Sequence, residues 1–171
     1  MAINVEIKTV PAMRVASITE KVTDYEVQQS MWRELSEYLR AHGVRVCGPL
    51  VGLDHSEGYI EDGIRLEVTA PVDVALPEND RVRVYDLPAL ELAASTLHVG
   101  DPAGVKGTYR MLMFWLRDNG YRIIGPSREI YLEFPGSETG DPLTDVSGQQ
   151  DPVIEVLIPV VKIWPEPKEP A

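Results

Sequence analysis

The sequence predicts an α+β fold: an antiparallel sheet with both helices on one face, built from two similar halves. Two observations carry this. Residues 5–49 and 82–126 align without a gap, 77 positions apart, so Pro11 falls on Pro88, Gly43 on Gly120 and Gly48-Pro49 on Gly125-Pro126. Roughly a third of the aligned positions are identical, which marks an internal duplication. Each half then reads strand, helix, strand, strand, without the even strand–helix alternation of a parallel sheet. A pseudo-two-fold axis would relate the halves and leave a central groove between the helices, and grooves between elements are favoured ligand sites.

The elements follow in order. Val5-Glu6-Ile7 and Val82-Arg83-Val84 alternate with the period of a half-buried strand. Pro11-Ala12 and Pro88-Ala89 follow; proline removes a ladder donor and belongs at a bend or an edge. Apolar residues resume at Met13, Val15 and Ile18, and at Leu90, Leu92 and Ala94. A helix is predicted over 24–41, where Val27, Met31, Leu35 and Leu39 form one stripe flanked by Trp32 and Tyr38. Its counterpart over 102–119 carries Val105, Tyr109, Leu112 and Leu116. Gly43 and Gly120 stand just past the last apolar turns, where a left-handed cap requires glycine. A strand ending in Gly-Pro follows each cap, and then a hairpin. The first hairpin turns over 54–63 and the second over 135–152, about eleven residues longer. One domain is expected over 1–163, as repeats of about 3–76 and 80–163, with 164–171 a flexible, proline- and charge-rich tail.

Composition narrows the function classes. With 171 residues and a formal charge of −11, the chain is long enough for a sizeable core and lacks the basic excess of a nucleic-acid surface. An acidic field favours cationic or neutral partners. The single cysteine, Cys47, excludes an internal disulfide and, within an apolar run, reads as a buried thiol. No leader and no membrane-length apolar run is visible, so a cytoplasmic location is expected, with no membrane partner. His42, His55 and His98 have no metal-ligand spacing, and neither a phosphate loop nor a nucleophile elbow is present. No metal and no cofactor is expected.

The copies differ in two places. The second helix reads Met111-Leu112-Met113-Phe114-Trp115-Leu116, where the first reads Glu34-Leu35-Ser36-Glu37-Tyr38-Leu39. One stripe suffices to pack on a sheet, so the extra apolar face meets a ligand, a second subunit, the partner helix or a wider core. Trp115 is placed at the border of the groove. The second difference is Glu129, which takes the place of Gly52 within an apolar strand and shares a face with Tyr131 and Glu133. Facing the helices, it would be a carboxylate in a low-dielectric groove, with a raised pKa or a cationic partner; facing away, it would be an ordinary solvated glutamate.

The paired Pro-Ala steps, the helix ending in Asp-Asn-Gly-Tyr and the run Gly125-Pro126-Ser127-Arg128-Glu129-Ile130-Tyr131 resemble the GyrI-like small-molecule-binding domain over nearly the whole chain. The resemblance implies a duplicated fold with a central groove and binding of lipophilic, often cationic compounds, as in effector domains of multidrug-sensing transcription regulators. It assigns the buried cation partner to Glu129, with Tyr131 beside it. The chain departs from the family at Asp54 and Pro152, where aromatic residues are common; Trp32, Tyr38, Tyr109 and Trp115 are the candidate replacements, with Met111 beside them. The duplicated domain uses the whole chain, so a stand-alone binder without direct nucleic-acid contact is expected. Two alternatives come with the resemblance: hydrolysis of strained lipophilic electrophiles such as cyclopropane-bearing compounds, with Glu129 as general base and Tyr131 or another tyrosine as acid, and a protein contact with DNA gyrase or a regulator. A homodimer through the second helix is a further expectation.

Overall fold

In the computed structural model, which describes residues 3–56, 63–133 and 152–163, the chain exchanges its first strands between halves. Strand β1 (Glu6–Val10) runs to the Pro11-Ala12 bend and β2 (Met13–Val22) follows, yet the two do not pair. A helix α1 (Gln28–Ala41) and strands β3 (Leu50–Asp54) and β4 (Ile64–Pro71) complete the first half. The second half holds β5 (Arg83–Leu87), β6 (Leu90–Val99), α2 (Val105–Asp118), β7 (Tyr121–Ile123), β8 (Ser127–Glu133) and β9 (Val153–Lys162). The sheet order is β1-β6-β9-β8-β3-β4-β2-β5, with β7 also paired to β9, and every pairing is antiparallel. Thus β1 borders β6 of the second half, and β5 borders β2 of the first.

Local chemistry fixes the helices. Asp24 and Asp101 each precede a single 3-10 turn, and their carboxylates accept the backbone N–H of Glu26 and Ala103 at 2.9 Å. Gly43 (φ 65°) and Gly120 (φ 74°) end α1 and α2 in the left-handed region. Met31, Trp32, Leu35 and Leu39 of α1 pack on Ile18, Leu66, Val68 and Ala70, forming the larger core. On α2 only Leu112 and Leu116 are buried, against Ala94, Val156, Ile158 and Val160. Both helices therefore cover the same face of a curled antiparallel sheet.

The second helix does not use its extra apolar residues for a wider core. Met111, Met113 and Phe114 are exposed, and the Arg117 guanidinium lies 5.2 Å from the Phe114 ring. Two further expectations are corrected. Residues 44–46 form no strand, although their counterparts form β7. The reason is length: β4 stops at Pro71, whereas β9 continues past Pro159 to Lys162 and gives β7 a partner. Cys47 is exposed, not buried. Val44 and Val46 pack against the core, so the alternation turns Cys47 outward. The hairpin tip at 57–62, the loop at 134–151 and the tail from 164 lie outside the described residues. Among the described residues, no helix is long and apolar enough to cross a membrane.

The opposite face of the sheet holds a polar cluster. Glu67, 4% exposed, accepts hydrogen bonds from Ser17 and Tyr85, and its other oxygen lies 2.7 Å from His55 Nε2. Burial raises the Glu67 pKa, but the hydrogen bonds from His55, Ser17 and Tyr85 outweigh it and hold the carboxyl below its ordinary value.

Candidate functional site

The β3–β8 pairing places Gly52 directly opposite Glu129, with Asp54 opposite Ser127 and Leu50 opposite Tyr131. Side chains two apart share a face, so Gly52, Asp54, Ser127, Glu129 and Tyr131 all look toward the helices. The N-terminal turns of α1 and α2 rise on either side. Between them lies a cavity of about 530 Å3. Its floor is Gly52, Asp54, Ser127, Glu129 and Tyr131. Tyr25 and Gln28 form one wall, and Pro102, Val105, Lys106 and Tyr109 the other.

Gly52 lets neighbouring side chains close over its backbone. A Cβ at this position would lie 3.1 Å from Gln28 Nε2 and 3.4 Å from the Tyr131 hydroxyl. Glu129 is half-buried. Its carboxylate accepts the Tyr131 hydroxyl at 2.9 Å and a second hydrogen bond from Tyr109. Asp54 is also half-buried and stands nearer the mouth, where it accepts the Tyr25 hydroxyl and the Ser56 N–H, each at 2.9 Å. Among the described residues, neither carboxylate is in an ion pair. The Lys106 ammonium stands 5.9 Å from the centre of the Tyr25 ring.

Burial sets the electrostatics. Desolvation pushes the Glu129 carboxyl above its ordinary value; the two tyrosine hydrogen bonds and the His98 charge pull it back only in part, and the Asp54 charge adds to the rise. Desolvation also raises Tyr109 and Tyr131, with Glu129 the next cause in each case. Tyr25 is pushed up to about 12, by burial and then by its bond to Asp54. All three phenols are therefore neutral donors near neutral pH. The cavity thus joins apolar walls to two carboxylates, neither in an ion pair among the described residues.

The structure brings Glu129, Tyr131 and Tyr109 to this cavity, and not the other expected ligand residues. Trp115 stacks on Tyr121, with ring centres 5.7 Å apart and 17° between planes, on the flank of the second core. Its position at the groove border was expected from excess apolarity, but helix phase directs it to Tyr121 instead. Trp32 is fully buried beneath the floor and meets Tyr131 edge-on at 5.7 Å; its indole N–H has no acceptor among the described residues. Tyr38 donates its hydroxyl to the Pro77 carbonyl at the far end of α1, and Met111 is exposed.

Tyr25, Gln28, Asp54, Lys106 and Ser127 complete the site and were missed as ligand candidates. The repeat spacing held a signal for some of them. Position 54 corresponds to 131, 28 to 105, 25 to 102 and 32 to 109, each 77 apart. Transferring Tyr131 to its counterpart would have nominated Asp54. Among the described residues, no group of three or more His, Cys, Asp or Glu side chains could hold a metal.

Comparison with known proteins places the chain in a family and a fold. The family model of the GyrI-like small molecule binding domain matches residues 3–147. No curated protein matches the chain by sequence. The C-terminal domain of EcmrR superposes with a TM-score of 0.80 at 21% identity, covering 95% of this chain and all of that one. In an EcmrR–DNA complex the TM-score is 0.79 at 20% identity, covering 94% of this chain and 58% of that one, so this chain spans little more than half of that regulator. A hydrolase from Listeria innocua superposes at 0.58 with 17% identity, covering 94% of this chain and 93% of that one. SAV2435 bound to tetraphenylphosphonium superposes at 0.53 with 12% identity, covering 92% and 94%. At these identities the structural likeness establishes the fold.

Proposed function

Since the chain belongs to the GyrI-like small-molecule-binding domain family, we propose that its groove binds lipophilic cations, as an effector-binding or sequestering domain. One observation carries the reading. Glu129 is a desolvated carboxylate on a cavity floor, oriented by Tyr131 and Tyr109 and in no ion pair among the described residues. A desolvated anion outside any ion pair is costly, so a cationic ligand is favoured there. The tyrosine rings add cation–π and apolar contact. The net charge of −11 draws such ligands in by its long-range field. The tetraphenylphosphonium held by the distantly similar SAV2435 has this chemistry.

The test is calorimetric titration with tetraphenylphosphonium and with neutral triphenylphosphine oxide. Saturable binding of the cation, at least about tenfold tighter than the neutral compound, supports the reading. Equal affinity for both, or no binding, overturns it. A second reading rests on the raised carboxyl pKa, which moves Glu129 toward the range useful for general acid–base work. In that reading Glu129 takes a proton from water during hydrolysis of a strained apolar electrophile, and product formation abolished by Glu129→Gln would establish it.

A further inference from the structure

We propose that the groove is built for a ligand with two cationic centres about one benzene ring apart, one held by Glu129 and the other by Asp54. The proposal rests on the cation-binding reading above and specifies its ligand.

The two carboxylates belong to different halves and meet through the β3–β8 register. Gly52 faces Glu129 and Asp54 faces Ser127, so Asp54 and Glu129 are diagonal neighbours on one face. Such diagonals are separated by about 7–8 Å. Gly52 and Ser127 are the other two corners of this set, and neither carries a charge. Both carboxylates line the same 530 Å3 cavity.

Each carboxylate is oriented but not neutralised. Tyr131 and Tyr109 hold Glu129 from below and beside; Tyr25 and the Ser56 N–H hold Asp54 at the mouth. These neutral donors fix the oxygens and leave the charge uncompensated. Lys106 is the cation among the lining residues, and its ammonium faces the Tyr25 ring with no ion pair to Asp54. A monocation at Glu129 therefore leaves Asp54 unmatched. A rigid dication lies across the cavity with one charge at each carboxylate.

The experiment compares p-xylylenediammonium with 4-ethylbenzylammonium, which has the same ring and length but one charge fewer, by calorimetry at low salt. Wild-type protein should prefer the dication by about tenfold or more, the size of one added partly buried charge contact. Asp54→Asn keeps acceptors for Tyr25 and Ser56 and removes the charge. It should reduce the preference to within about threefold, by weakening the dication more than the monocation. The ortho and meta diamines, with shorter charge separation, should bind wild-type protein more weakly than the para isomer, a readout that needs no variant. No dication preference in wild type, a preference surviving Asp54→Asn, or a flat isomer series overturns the proposal. Tetraphenylphosphonium binding separates the levels. If it binds with none of these preferences, only the two-charge assignment fails; if no cation binds, the cation-binding reading fails as well.

Discussion

Replacing Glu129 with glutamine tests the site at its centre. The substitution preserves shape, and the amide oxygen can still accept from Tyr131 and Tyr109, so the fold and cavity should persist. What changes is the charge. A carboxylate about 4 Å from a ligand cation contributes about 4 kcal/mol at an effective dielectric of 20. Part of this is spent on ionising a carboxyl whose pKa burial has raised, at about 1.4 kcal/mol per pKa unit above the working pH. Asp54 remains and keeps some attraction. The expected net loss is about 2 kcal/mol, roughly a 30-fold weaker dissociation constant for tetraphenylphosphonium at pH 8. Triphenylphosphine oxide should lose less than about threefold, because it makes no charge contact. Thermal unfolding of the variant should show no loss of stability, since a buried ionisable group has become neutral. Equal losses for cation and neutral compound would refute the argument, because the substitution would then act through shape. No loss for either would place the ligand away from Glu129.

Three other outcomes are expected. Cation affinity should be constant at high pH and fall, approaching tenfold per pH unit, once the pH drops below the raised Glu129 pKa, because the cation binds the ionised carboxyl and its binding releases a proton; a pH-independent affinity in calorimetry would contradict this. Glu67, whose folded pKa is lowered, should contribute stability that is fully present above its unfolded value near 4.5 and is lost as pH falls through the folded value. Glu67→Gln should therefore cost about 1–3 kcal/mol in urea unfolding at pH 7, by setting an amide donor against Ser17 and Tyr85, with the difference from wild type shrinking toward pH 3. Trp115→Ala should lower stability by roughly 1–3 kcal/mol through the lost stack on Tyr121 while leaving cation affinity within about twofold; a large affinity loss at full stability would return Trp115 to the groove.

Much of this protein was legible in its sequence because the relevant signals are local. Apolar spacing on Met31, Leu35 and Leu39 gave α1, and Gly43 and Gly120 gave both helix ends, since a left-handed residue past the last turn admits few alternatives. The repeat brought Gly52 and Glu129 into correspondence, and the run through Tyr131 pointed to the carboxylate now found on the cavity floor. Periodicity also gave strands with the right inward faces around Ile18 and Val68. Partner choice needed the tertiary structure. Nothing in Glu6–Val10 specifies β6 over β2, because the two candidate partners are similar sequences and strand pairing is decided by where the Pro11-Ala12 bend delivers the chain. The same holds for the side chains above the groove. Trp115 and Tyr109 lie on one helix six positions apart, and a rotation of the helix about its axis would exchange their surroundings. Packing of Leu112 and Leu116 on β6 and β9 fixes that rotation, sending Tyr109 to Glu129 and Trp115 to Tyr121. The pairing of Asp54 with Glu129 across one cavity exists only once β3 and β8 meet, because their sequence neighbourhoods hold no trace of each other beyond the repeat itself.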